Sequence, residues 1–134
     1  MTLANSPKSN PRVIIIQKLY GKFFNNDEDL IFPKHRFKKF IKDIVTGTLE
    51  REEVIKDEIK MHLDTDTNIK NLDKIFQVII KCAIFEIMYR PKTSIKIIIK
   101  EYLNASNYFL DNSQTSYLNA LLDKISKKIR NSNG

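Results

Sequence analysis

Apolar residues recur at every third or fourth position along most of the chain, which is the spacing of helices that bury one face. This pattern predicts six helices joined by short polar links, and no stretch carries a convincing strand signal. The predicted helices cover Arg12 to Phe24, about Pro33 to Thr46, about Leu49 to Leu63, about residues 71 to 89, Ser94 to Phe109, and about Thr115 to Arg130. We therefore predict an all-α bundle.

The bounds of the second and third predicted helices rest on particular residues. Pro33 lies in the first turn of the second helix, where proline is tolerated, and Gly47 lies just past its end. Thr48 is the predicted N-cap of the third helix.

The fourth predicted helix carries a carboxylate inside its apolar stripe. Glu86 projects between Ile75 and Ile79, whereas the other polar residues of the helix fall outside the stripe: Asp73, Lys74, Gln77 and Lys81. An unpaired carboxylate there would cost several kcal/mol or would shift its pKa and become neutral. Glu86 therefore needs a hydrogen-bond donor, either within this chain or on a protein that docks here.

The chain length and composition indicate one globular domain over residues 1–134. It has 134 residues, of which 42% are hydrophobic, enough for a core. Residues 1–11 are polar and hold two prolines, and we expect a flexible basic arm. The single cysteine, Cys82, is predicted to be a small buried residue. No apolar run resembles a signal peptide or a membrane span, and a cytoplasmic location is expected.

Charge is distributed unevenly along the sequence. The formal net charge is +7, with a pI near 9.5, which suits a polyanionic partner. Basic residues concentrate in residues 1–24, 34–42 and 124–130, and acidic residues concentrate in 50–66. We expect one basic side and one acidic side, which favours an oriented partner.

Signatures of catalysis and of metal binding are largely missing. His35 and His62 are far apart in the sequence and lack companions at ligand spacing, so we predict no metal site. The chain also has no glycine-rich phosphate loop, nucleophile elbow or nucleotide fingerprint. We expect neither an enzyme nor a bound cofactor.

The last predicted helix carries a tyrosine beside several lysines. Tyr117, Lys124 and Lys128 follow one another along the edge of its apolar face. Single-stranded RNA is bound in this way, because bases stack on the ring while ammonium groups neutralise phosphates. The alternative is a tyrosine at the edge of the core, flanked by solvated lysines.

The first predicted helix offers a second candidate surface. Gln17 and Lys18 face outward, and Lys8 and Arg12 precede them on the arm. A basic arm can close over a phosphate backbone, although it is as often only a soluble terminus. The two surfaces support each other if the first and last helices lie side by side.

Five ordered segments resemble motifs of the bacterial transcription antitermination factor NusB family. They are Arg12…Gln17-Lys18-Leu19-Tyr20, the run Phe40-Ile41-Lys42-Asp43-Ile44-Val45-Thr46-Gly47, Ala83-Ile84-Phe85-Glu86-Ile87, Ile99-Lys100-Glu101-Tyr102, and Tyr117-Leu118-Asn119-Ala120-Leu121-Leu122-Asp123-Lys124. Each motif is weak alone, but the ordered series covers roughly residues 8–130.

The resemblance implies an all-α fold of two helical subdomains, with about six to seven helices. It also implies a binding platform that pairs with NusE, a small-subunit ribosomal protein. Together they would bind boxA-type RNA of nascent ribosomal RNA transcripts and help RNA polymerase to read through terminators. The implied RNA-binding residues are Lys8, Arg12, Gln17, Lys18, Tyr117, Lys124 and Lys128. The resemblance places Glu86 against NusE, and the alternative is an internal salt bridge.

Departures from the family pattern keep other functions open. The family's N-terminal arginine cluster is thinned here to Lys8 and Arg12, so phosphate contacts should be fewer and less oriented. One alternative is a NusB-like protein–protein interaction module with weakened or non-specific RNA binding. Another is the accessory domain of a ribosomal-RNA cytosine methyltransferase, which is disfavoured because no catalytic domain is present in this sequence.

Overall fold

A computed structural model describes residues 9–25, 30–63 and 72–133. Within these ranges the chain forms six helices and no strand, which confirms the all-α prediction. The helices are α1 (Pro11–Phe24), α2 (Lys38–Glu50), α3 (Glu52–His62), α4 (Lys74–Tyr89), α5 (Ile95–Ser106) and α6 (Asn112–Asn133).

Helix α4 is the centre of the bundle and contacts each of the other five helices. Around it, α1 packs on α2 and α5 packs on α6, while α1 also contacts α5, and α3 contacts both α2 and α6. Because α4 is enclosed, even its polar residues Gln77 and Lys81 are buried, at 8% and 7% exposure. The sequence pattern places both residues outside the apolar stripe and so predicts that this side of α4 faces solvent. In the structure the other helices cover it.

The predicted bounds of α2 and the predicted cap of α3 are wrong. Helix α2 begins at Lys38 instead of Pro33, and it continues through Gly47 and Thr48 to Glu50. Gly47 lies inside the helix, at a position where a Cβ atom would clash with the ring of Phe85 on α4, so the close packing of these helices requires glycine. Thr48 is buried within α2 instead of capping α3.

Capping residues set the starts of the first and last helices. The Asn10 Oδ1 atom accepts hydrogen bonds from the backbone N–H groups of Arg12 and Val13, and Pro11 occupies the first turn. Residues 10 and 11 therefore belong to the start of α1, while residues 1–8 of the predicted arm lie outside the described residues.

Helix α6 begins at Asn112, three residues before the predicted start. The Asp111 Oδ1 atom accepts from the Gln114 backbone N–H at 2.8 Å, and Gln114 Oε1 accepts from the Asp111 N–H at 3.0 Å. This reciprocal pair is a capping box. Helix α5 ends at Ser106, because turns at Ala105 and Ser106 replace the last predicted turn.

Candidate nucleic-acid interface

The buried carboxylate of Glu86 takes its donor from α1. The Nη2 atom of Arg12 donates to Glu86 Oε1 at 2.8 Å, and Nε donates to Oε2 at 3.1 Å. The Glu86 side chain is completely buried and that of Arg12 is 12% exposed. The interpretation that the donor belongs to a partner protein is therefore corrected, because this two-point pair is internal.

Aromatic rings hold the Arg12 guanidinium in place. It lies 4.9 Å from the centre of the Phe40 ring on α2 and 5.3 Å from that of Tyr102 on α5. Burial works against its charge, but Tyr102 and Glu86 outweigh burial and raise the pKa of Arg12. Burial also raises the pKa of the Tyr102 hydroxyl well above its usual range.

This arrangement changes what Arg12 can do. Two of its nitrogen atoms bind Glu86, and its plane lies against two rings, so the side chain joins α1, α2, α4 and α5. We expected Arg12 to bind phosphate, but the geometry makes it first a support that fixes the start of α1. The assignment of Arg12 to RNA and of Glu86 to NusE stays a prediction.

Helix α6 displays the tyrosine and the lysines predicted to bind RNA. The Tyr117 ring is 40% exposed and stacks on Phe76 of α4, with ring centres 5.6 Å apart and planes at 25°. Lys124 is half-buried and Lys128 is exposed. Tyr117 is thus both a packed residue at the edge of the core and an accessible ring, which combines the two interpretations of the sequence.

The exposed polar residues of α1 lie on a different part of the molecule. Gln17 is exposed and Lys18 is half-buried, whereas Lys8 lies outside the described residues. Helices α1 and α6 do not pack side by side: α4 contacts both, and α5 also contacts both. The two candidate surfaces therefore do not form one continuous surface made by neighbouring helices.

The orientation of α6 nevertheless brings its basic end toward the start of α1. Gln114 at the start of α6 hydrogen-bonds Asp73 before α4, and Arg130 near its end donates to the carbonyl of Ile87. The two helices therefore run in the same direction. Because Arg12 binds Glu86, the start of α1 and the lysine-bearing end of α6 lie at the same end of α4. Tyr117 stacks on Phe76, which lies roughly 15 Å from Glu86 toward the start of α4.

Sequence reasoning missed a second group of arginines and rings beside Arg12. The guanidinium of Arg90 lies 5.0 Å from the centre of the Phe40 ring, and its Nη2 atom is 3.7 Å from Asp43 Oδ2. Arg51 lies 4.7 Å from the centre of the Tyr89 ring. The only sequence signal was the basic character of residues 34–42, because Arg51 and Arg90 stand alone in the sequence.

Two kinds of site are not found in the part of the chain that the structure describes. No group of three or more histidine, cysteine, aspartate or glutamate side chains is placed to hold a metal ion. No helix among the described residues is long and apolar enough to cross a membrane.

The six-helix bundle and the basic, tyrosine-bearing surface of α6 define a helical binding module. The model of the NusB family matches residues 9–127, and the chain belongs to the NusB family. It is 28% identical over 137 residues to the transcription antitermination protein NusB of Coxiella burnetii, which covers 96% of this chain and 98% of the relative.

Other relatives match over shorter segments or in fold alone. The NusB protein of Mesorhizobium japonicum is 26% identical over 92 residues, and this chain spans only 59% of its length. The structure of NusB from T. maritima superimposes with a TM-score of 0.76 at 20% identity, covering 92% of both chains. A structure of the antitermination factors NusB and NusE in complex with dsRNA gives 0.75 at 14% identity, covering 95% of this chain and 99% of the other.

Proposed function

We propose that this chain is a cytoplasmic transcription antitermination factor that acts as a binding protein and not as an enzyme. With NusE, a small-subunit ribosomal protein, it binds boxA-type RNA of nascent ribosomal RNA transcripts and helps RNA polymerase to read through terminators. Membership of the NusB family supports this proposal. The observation that carries the RNA-binding part is the accessible Tyr117 ring on the same helix as Lys124 and Lys128.

The proposed RNA path follows α6. Bases stack on Tyr117, whose ring Phe76 holds in a fixed orientation, and Lys124 and Lys128 neutralise phosphates. From the far end of α6 the strand passes the start of α1 and continues toward Gln17 and Lys18 in the middle of that helix. Lys8, which precedes the helix in the sequence, adds further positive charge. Arg12 contributes by fixing the start of α1. Because the Glu86 carboxylate is buried, Glu86 supports NusE binding only indirectly, through its pair with Arg12.

The first experiment is fluorescence anisotropy of a labelled boxA RNA against a scrambled control, with and without NusE, at two salt concentrations. We expect a boxA preference that strengthens when NusE is present. A double-stranded RNA of the same sequence distinguishes base stacking from recognition of helical shape. Equal and steeply salt-dependent binding to all RNAs, unchanged by NusE, would contradict the proposal.

Tyr117→Ala tests the stacking site directly. We expect a loss of about 1–3 kcal/mol in RNA binding, the usual value of one stacked base. Tyr117→Phe should bind normally, because it keeps the ring. The matched control is Tyr108→Ala, since Tyr108 is also 40% exposed but lies outside α6. An equal effect of both alanine variants would remove Tyr117 from the site.

One observation favours a second candidate, a NusB-like protein–protein module with weakened or non-specific RNA binding. Arg12 is the one arginine left of the family's N-terminal cluster, and two of its nitrogen atoms donate to Glu86 instead of being available to a phosphate. This candidate predicts normal NusE binding together with equal affinity for boxA and scrambled RNA, so the same anisotropy experiment separates the two functions.

A further inference from the structure

A pocket of about 250 Å³ opens between α1, α4 and the junction of α2 and α3. We call it the α1–α4 pocket. Its apolar walls are Leu19, Phe23, Leu49 and Val78. Pockets for drug-sized ligands usually measure about 300–1,000 Å³. The α1–α4 pocket therefore has room for one large side chain.

The polar part of the wall contains a buried lysine. Lys81 is 7% exposed, and its one partner among the described residues is Glu52, whose Oε1 atom lies 3.2 Å from Lys81 Nζ. An ammonium group has three N–H donors, and a buried charge is stable only when its donors are satisfied. Glu52 also faces Lys56 at 3.5 Å. The pocket thus offers Lys81 donors to an acceptor that enters it.

An accessible aromatic pair adjoins the pocket. Phe23, in the pocket wall, is 41% exposed, and Phe24, whose ring centre lies 5.6 Å from that of Phe23, is 64% exposed, although large aromatic side chains are normally buried. The ammonium of Lys74 lies 4.5 Å from the centre of the Phe23 ring. Accessible aromatic residues beside a cavity are typical of surfaces that bind another protein.

We propose that the α1–α4 pocket binds a peptide segment of a partner protein that presents an aromatic or large aliphatic side chain next to a carboxylate. The size of the pocket and its apolar walls fit the side chain, and the buried Lys81 ammonium, which has more N–H donors than its one bond to Glu52 uses, fits the carboxylate. A phosphate backbone is a poorer match, because it has no apolar side chain to pack against Leu19, Leu49 and Val78. This proposal does not depend on RNA binding.

The test uses the full chain, labelled at its methyl groups, and three capped dipeptides followed by NMR. N-acetyl-Asp-Phe-amide carries both features, N-acetyl-Asn-Phe-amide lacks the charge, and N-acetyl-Asp-Ala-amide lacks the ring. We expect saturable shifts at the methyl groups of Leu19, Leu49 and Val78 with the first probe, and binding about tenfold weaker for the other two. Equal binding of all three probes, or shifts confined to other methyl groups, would overturn the proposal.

The Lys81→Met variant tests whether the carboxylate of the Asp-Phe probe binds at Lys81. This variant removes the charge and keeps the length of the side chain, so the preference for the Asp-Phe probe over the Asn-Phe probe should fall to about onefold. Lys100→Met, which changes an exposed lysine on α5, should leave the preference unchanged. Lys22→Met, at the half-buried edge of the pocket, provides the same test should Lys81→Met fail to fold.

A preference that survives in both pocket variants would show that the probe binds elsewhere. Inorganic phosphate provides the last arm of the test. Displacement of the Asp-Phe probe by phosphate at similar concentration would overturn the peptide proposal in favour of a simple anion site.

Discussion

The Arg12–Glu86 pair shows how a single buried charge can organise several helices. Glu86 is completely buried in α4, and its partner belongs to a helix 74 positions earlier in the chain. A buried ion pair is weak evidence for net stability, because desolvation offsets the attraction, but the loss of one partner leaves an uncompensated charge. The pair therefore selects the position of α1 on α4 more than it adds to the free energy of unfolding.

Truncation of either partner should be strongly destabilising. We expect Arg12→Ala and Glu86→Ala each to lower the free energy of unfolding by about 3–5 kcal/mol in urea titrations, since each leaves a buried charge without its partner. The double variant should cost less than the sum of the two. The control is Lys39→Ala, which breaks the exposed Lys39–Asp43 pair and should cost at most about 1 kcal/mol. Equal, small effects would contradict the structural role.

Gly47→Ala tests a close approach of two helices. Alanine normally stabilises the middle of a helix by about 0.5–1 kcal/mol relative to glycine. A Cβ atom at position 47 would instead lie within 2.7 Å of Phe85 Cε1 and closer still to Cζ. We expect a destabilisation of about 1–3 kcal/mol in thermal or urea unfolding. Phe85→Leu should recover part of the loss, whereas a stabilised single variant would contradict the packing of α2 on α4.

At the level of the elements, the sequence was informative about helices and much less so about their ends. The periodicity identified α1, α4 and α5 to within three residues, because each has a strong apolar stripe. It misjudged α2, since glycine inside a helix and glycine after a helix look alike until its neighbour Phe85 is known. The start of α6 was available in the sequence as the pattern Asp111-Asn112-Ser113-Gln114, which is a capping box.

The candidate site was predictable only in part, for a related reason. Tyr117 could be placed at the edge of an apolar face from local spacing alone. The donor of Glu86 could not be chosen, because no local pattern says which arginine packs against a given carboxylate. Lys81 was placed outside the apolar stripe of α4, and only the packing of five helices around α4 shows that it is buried.

Glu52 links the start of α3 to α4 and should make stability depend on acid. Burial opposes its ionisation, but the hydrogen bond and charge of Lys81, together with Lys56, outweigh burial and lower the pKa of Glu52 below its ordinary value of 4.5. A carboxyl group with a lowered pKa stabilises the folded state above its unfolded pKa, and this contribution is lost as pH falls through the folded pKa.

We therefore expect the urea midpoint of the protein to fall as pH drops below about 4.5, and Glu52→Gln should reduce this fall. Glu50→Gln is the control, because Glu50 is an exposed neighbour on α2 with the same change of charge. Identical acid dependence in the two variants would show that the Glu52–Lys81 bond adds no stability.

At the scale of the whole molecule, the fold uses α4 as a common support for two surfaces. The lysine-bearing surface of α6 and the α1–α4 pocket lie against different parts of the same buried helix, so both depend on its position. Membership of the NusB family establishes the scaffold. Because the arginine cluster is thinned and Arg12 is bound to Glu86, we expect α6 to contribute more of the proposed RNA binding. Under the proposed function, the net charge of +7 acts mainly through salt-dependent attraction of RNA.

Cys82 provides a direct measure of how the whole bundle opens. Its thiol is fully buried in the middle of α4, and burial raises the pKa of Cys82 far above its usual range, with Glu86 adding to the effect. The thiolate is the reactive form, so a disulfide reagent should modify the native protein only when α4 becomes exposed. Because α4 contacts all the other helices, that exposure requires global unfolding.

We expect the rate of modification to rise with urea along the same slope as the free energy of unfolding. Arg12→Ala, if it costs about 3–5 kcal/mol, should raise the rate in water by more than about a hundredfold, because each 1.4 kcal/mol corresponds to a factor of ten. Lys39→Ala should change the rate by no more than about fivefold. Rapid modification of the wild-type chain in water, with no dependence on urea, would show that α4 opens locally and is not the rigid support of both surfaces.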